Sequence, residues 1–168
     1  PKFEQIVAWE CGGSSPASLN RLTGNAKWTG TRLRDLLRDA GLEKHAREVV
    51  FFGTDKGKEK VTHGRSGEME VEQHFARSLY TEDANRPEVM LAWEMNGQPL
   101  PAIHGFPVRL VVPGWYGVAN TKWLNRIHAQ DTRFIGRFMS RDYVTLRPVQ
   151  VGDEQQWDEA LVDRIRVK

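Results

Sequence analysis

Apolar and polar residues alternate in short bursts along this chain, with little sustained helical period. Gln5-Ile6-Val7-Ala8-Trp9 is a β-prone run that stops at the Gly12-Gly13 pair. Residues 19–29 are polar and irregular. Leu33, Leu36, Leu37 and Ala40 then recur at helical spacing with charges between them, which predicts a helix. Thr31 is its expected N-cap and Gly41 its stop. Glu48-Val49-Val50-Phe51-Phe52 reads as a second strand, closed by Gly53. Residues 56–73 are polar and dotted with glycine, and predict an exposed loop. A third strand is expected over residues 89–95, followed by Asn96-Gly97, a strong tight-turn signal. Pro99 and Pro101 make the next few residues stiff and extended. A fourth strand is expected over residues 108–112 before Pro113-Gly114. Beyond Lys122-Trp123-Leu124 the pattern is irregular until residues 161–167, which alternate again and predict a last strand. Strands outnumber helices, so the class is α+β, or all-β with one clear helix.

Composition narrows the picture. The chain is 39% hydrophobic and 27% charged, ordinary for a globular domain with a real core. Its net charge of +2 is interspersed, without a basic block pointing to nucleic acid or an anionic membrane. No apolar run approaches the ~20 residues that span a bilayer. No signal peptide is expected from the opening Pro1-Lys2-Phe3-Glu4, which lacks a charged-then-apolar pattern, and one cysteine permits no internal disulfide.

That cysteine, Cys11, lies between the first strand and two glycines. A free cysteine is most often a buried, inert thiol. Small neighbours nevertheless leave room for a bulky group, and a thiolate serves as nucleophile or soft-metal ligand. His45, His63, His74, His104 and His128 show no zinc-like spacing with a second cysteine or histidine. A cysteine–histidine hydrolase pair stays open, because such partners lie far apart in sequence. His104-Gly105-Phe106-Pro107-Val108-Arg109 is more telling. Arg109 sits inside an apolar run, where a lone charge is costly. An anionic ligand or an internal carboxylate is expected to meet it. Residues 113–122 form a glycine-containing turn that ends at Lys122, a candidate anion cradle or a plain strand connection.

Several segments, in this order, resemble the molybdopterin-binding domain of the sulfite oxidase family. They are Glu10-Cys11-Gly12-Gly13; Gly24-Asn25-Ala26-Lys27-Trp28-Thr29-Gly30 leading into Leu33-Arg34-Asp35-Leu36-Leu37; Glu72-Gln73-His74-Phe75-Ala76-Arg77-Ser78-Leu79; residues 91–101; His104 to Arg109 running on to Val112-Pro113-Gly114; and Lys122-Trp123-Leu124. The resemblance implies the mixed α+β sulfite oxidase fold, with several sheets and few helices. It implies molybdenum-dependent oxidoreduction by oxygen-atom transfer, with electrons passed singly to an acceptor such as a c-type cytochrome. It makes Cys11 the protein's ligand to molybdenum. It puts the cofactor's phosphate on His104, Arg109 and Lys122, and the active-site tyrosine on Tyr143, in its Arg-Asp-Tyr setting. The implied substrate is a small oxyanion or sulfur compound.

Two departures qualify this. The family's sulfite oxidases follow the cysteine with asparagine and arginine, where this chain has Ser14, Ser15 and Pro16. The family also has an upstream segment and a C-terminal dimerisation domain. The expectation is therefore one core domain over residues 1–168, a piece of a larger enzyme or a divergent short member, with homodimerisation resting on a domain outside it. The rival readings are a metal-free assembly domain of the same fold and a hydrolase using Cys11. The compartment, periplasmic or cytoplasmic, stays open.

Overall fold

The computed structural model describes residues 1–11, 22–62 and 67–165. Its centre is a five-stranded sheet. β1 (Phe3–Glu10) pairs antiparallel with β2 (Thr23–Arg32), and β2 pairs with β5 (Met90–Met95). β5 is flanked by β6 (Gln98–Pro99) and by β7 (Arg109–Val111). A second sheet holds β4 (Glu68–Tyr80), β3 (Glu48–Thr62) and β8 (Leu124–Gln130) in that order. β9 (Val144–Val151) and β10 (Glu154–Leu161) form a separate two-stranded ribbon. The helices are short: α1 (Leu33–Asp39), α2 (Thr81–Ala84) and α3 (Arg137–Ser140). The architecture is mostly β with few helices, in rough accord with the α+β expectation.

The central sheet is buried on both faces. Leu91 and Leu110 join Leu33, Leu37, Val49, Phe51 and Leu79 in the core facing the second sheet. Their neighbours Met90, Ala92 and Val111 join Val7 and Trp28 on the opposite side. Double burial is why these strands read as unbroken apolar runs. At Gly30 the β2–β5 register shifts, and a Cβ there would stand 1.8 Å from the Leu91 carbonyl oxygen. Only glycine admits that approach.

The Asn96-Gly97 turn forms as expected, with φ of 54° and 80°. This pair of left-handed residues suits a two-residue hairpin. α1 forms too, but Arg32 rather than Thr31 is its N-cap, without a side-chain bond. Its first amide, on Leu33, donates instead to the Val89 carbonyl at 2.9 Å.

Three expectations are corrected. The loop expected over residues 56–73 is largely strand, the outer halves of β3 and β4. Its polarity conceals a cross-strand charge ladder: Lys56–Glu72 at 2.6 Å, Lys58–Glu70 at 2.9 Å and Lys60–Glu68 at 3.8 Å. Residues 23–29, expected to be irregular, belong to β2, whose outer half is solvated and so shows no apolar alternation. The last strand is β10, which ends at Leu161. Of residues 161–167, Val162 to Ile165 form only an isolated bridge, Trp115 with Arg164, and the final two lie outside the described residues.

Candidate active site

β1 carries Cys11 to its position. The strand ends at Glu10, and the Cys11 amide donates to the Leu22 carbonyl at 3.0 Å. The thiol is half-buried at a cleft of about 360 Å³. Trp9, Trp28, Leu22, Ala26 and Met95 form its mainly apolar walls, and His104 and Gly117 close it. The structure therefore brings Cys11 and His104 to one cleft. No hydrogen bond joins the thiol to a histidine ring among the described residues, so the hydrolase pairing gains no support there. Gly12, Gly13, Ser14, Ser15, Pro16 and His63 lie outside the described residues.

His104 ends a one-turn 3-10 helix over Ala102–His104. Gly105 follows at φ 106°, and a Cβ there would meet the Lys122 Cβ at 3.0 Å, so Lys122 packs directly on this turn. Three donors cap the turn's carbonyls. Trp123 Nε1 donates to Ala102 O at 2.7 Å, Lys122 Nζ to Ile103 O at 3.0 Å, and Arg109 Nη1 to His104 O at 2.8 Å. His104, Arg109 and Lys122, separated in the chain, are thus built around one turn.

Arg109 is set by strand parity. It shares a β7 face with Val111, the face that looks toward Val7 and Trp28. It is 3% exposed. Its second Nη donates to Asn120 O at 3.0 Å. Its guanidinium carbon lies 4.3 Å from the Trp9 ring centre and 5.1 Å from that of Trp28. The internal carboxylate held open from the sequence is not there: no Asp or Glu pairs with Arg109 among the described residues. Residues outside that set contain neither acid. Burial alone pulls this guanidinium down to about 9. Burial also lowers Lys122, as does the like charge of Arg109, while Asp55 acts the other way.

The turn after Pro113 is a poorer cradle than its glycines suggest. The amide of Trp115 donates to Val112 O and that of Tyr116 to Asp163 O. Tyr143 is half-buried outside the cleft. Its ring lies beside Phe138, with the Arg77 guanidinium 5.9 Å from its centre. A backbone path links it to the cleft wall: Val162 donates to Tyr143 O, Tyr116 donates to Asp163 O, and Gly117 abuts the Glu10 carbonyl. Sequence reasoning missed Trp9 and Trp28 as site residues. The available signal was Trp9 lying two residues before Cys11 on a strand.

The residues fit the cofactor that the resemblance implies. Among the described residues no three His, Cys, Asp or Glu side chains gather as a metal cage. A metal that arrives in an organic sulfur ligand needs only one thiolate from the protein. The donors left over point the same way. Among the described residues Arg109 Nε, Trp9 Nε1 and Trp28 Nε1 are buried without a partner, and a buried donor is costly until an acceptor meets it.

Comparison with known proteins identifies the family. The profile of the oxidoreductase molybdopterin binding domain matches residues 1–138. The chain is 35% identical to mitochondrial sulfite oxidase of Rattus norvegicus over 174 residues, covering 95% of this chain and 30% of that protein. It is 32% identical to sulfite oxidase of Arabidopsis thaliana, covering 94% of this chain and 43% of that one. Among solved structures, the sulfane dehydrogenase SoxCD from Paracoccus pantotrophus superposes with a TM-score of 0.68 at 24% identity, over 94% of this chain and 38% of that chain. The chain thus spans less than half the length of these relatives.

Proposed function

The chain belongs to the oxidoreductase molybdopterin-binding domain family, and on that footing we propose that it is the cofactor-holding part of a molybdenum-dependent oxidoreductase of the sulfite oxidase type. One observation carries the proposal: a half-buried thiol shares a cleft with Trp9 and Trp28, and a buried guanidinium that no carboxylate pairs lies over the same two rings. When bound, the molybdenum cofactor supplies oxygen-atom transfer coupled to electron transfer.

The chain's own residues supply the rest. Cys11, just past the end of β1, would be the protein's sulfur ligand to the metal. Arg109 and Lys122 supply charge for the phosphate, and His104 is held beside them by the capped turn. Tyr143 is assigned the substrate side, where its phenol would donate a hydrogen bond. Its support is the family motif and the backbone path to Gly117. The proposed substrate is a small oxyanion or sulfur compound, and the proposed acceptor a one-electron carrier such as a c-type cytochrome. No helix among the described residues is long and apolar enough to cross a membrane.

The test is elemental analysis of the full-length gene product from a cofactor-producing host, with fluorescence of the released, oxidised pterin. Near-stoichiometric molybdenum and pterin are expected, followed by turnover in a screen of sulfite, nitrate and sulfoxides. A folded protein that carries neither refutes the proposal. A metal-free protein that acylates Cys11 with an ester would establish the hydrolase instead.

A further inference from the structure

We propose that Trp9 is a positioning residue which, with Trp28, stands in for a counter-ion beneath Arg109 and so reserves that guanidinium's charge for a phosphate monoester dianion. The proposal rests on the cofactor-holding role and adds a residue outside the motif around Cys11.

A buried guanidinium is ordinarily met by a carboxylate, whose charge cancels its own. Arg109 meets two carbonyl oxygens instead, those of His104 and Asn120. Carbonyls carry only partial charge, so most of the positive charge remains unanswered. Two indole faces lie against it. Both ring centres are within the ~6 Å reach of cation–π attraction. The indoles are themselves stacked, centres 4.5 Å apart and planes inclined by 30°. A π-face attracts a cation through its quadrupole without neutralising it. The guanidinium is therefore held in place yet keeps its charge for an incoming anion. Its own Nε and the Nε1 donors of both indoles are buried without a hydrogen-bond partner among the described residues.

Trp9 is the informative member of the pair. Trp28 is 1% exposed and belongs to the core, so its removal would disturb the fold. Trp9 is half-buried at the cleft, packed against that core from outside. Both it and Cys11 line the cleft, and they are two residues apart. A single strand thereby sets both the thiol and the support of the anion-binding arginine. A leucine in place of Trp9 is apolar without a π-face, whereas a phenylalanine keeps one.

The test uses the full-length gene product made in a host that lacks the cofactor, with inorganic phosphate as probe. Phosphate should raise the melting temperature of the parent, and chloride at equal ionic strength should not. Trp9→Leu should raise the half-saturating phosphate concentration at least fivefold, while Trp9→Phe stays within twofold of the parent. Should Trp9→Leu fail to fold, Trp9→Met serves the same comparison. The proposal is overturned by an unchanged half-saturation in the apolar variant, by Trp9→Phe behaving as Trp9→Leu does, or by a parent that ignores phosphate. Molybdenum content of protein from a cofactor-producing host is read separately. A phosphate response of the expected pattern with no molybdenum there refutes the cofactor, not the role of Trp9.

Discussion

Replacing Arg109 by methionine should separate what this side chain does for the fold from what it does for a ligand. Burial lowers the guanidinium well below its ordinary value, to about 9, a penalty on its charged form of ~5 kcal/mol. Methionine removes that penalty. It also leaves the His104 and Asn120 carbonyls without their donor, at ~1–3 kcal/mol each. Loss of the contact with the two indoles costs a further ~2 kcal/mol. These terms nearly cancel, so the metal-free protein should lie between ~1 kcal/mol more stable and ~3 kcal/mol less stable than the parent. Urea unfolding of the metal-free protein measures this. Ligand retention should behave differently, because a hydrogen bond to a charged group is worth ~1.5–3 kcal/mol, or about 10- to 150-fold in affinity. Molybdenum remaining after extended dialysis reports it. A destabilisation well beyond ~5 kcal/mol would show that Arg109 is chiefly a structural pin, against the near-cancellation of these terms. Equal retention in variant and parent would remove it from the cofactor's binding set.

Cys11→Ser should reduce bound molybdenum to background while the far-ultraviolet circular dichroism stays that of the parent, since a serine oxygen suits a soft, sulfur-ligated centre poorly. Parental metal content in the variant would contradict the assigned role. Gly105→Ala places a Cβ 3.0 Å from Lys122 Cβ at φ 106°; it should cost ~1–3 kcal/mol in chemical denaturation, and a neutral result would show that the turn relaxes freely. The Thr29 hydroxyl, then Lys27 and Lys2, hold the Glu4 carboxylate below its ordinary 4.5. A depressed carboxylate stabilises the fold above its unfolded value, and that stabilisation is lost as pH falls through the folded value. Stability should therefore decline from about pH 4.5 downward, and less steeply in Glu4→Gln. Identical acid profiles would rule Glu4 out as a contributor.

What was legible in the sequence depended on burial. β5 and β7 are covered on both faces, and their apolar runs announced them. Asn96-Gly97 announced its turn because few other pairs take two positive φ angles at low cost. The outer parts of β3 and β4 stand in solvent, so cross-strand lysine–glutamate pairing leaves no apolar signature. β10 is hidden likewise, exposed from Glu154 to Glu159. At the candidate site, Cys11, His104, Arg109 and Lys122 were all named from motifs, but the partners of Arg109 were not. The sequence suggested an anion or a carboxylate. Its support by Trp9 and Trp28 depends on how β1, β2 and β7 face one another across the sheet, and no local pattern encodes that.

There is one sulfhydryl in the whole chain, and it belongs to a residue lining the cleft. Any thiol-selective reagent therefore has a single address. Were the sulfur engaged by a bound group it would resist alkylation, whereas a bare chain would gain one adduct. The mass spectrum of the intact polypeptide then becomes a census of filled and empty copies, read molecule by molecule and without assuming any substrate.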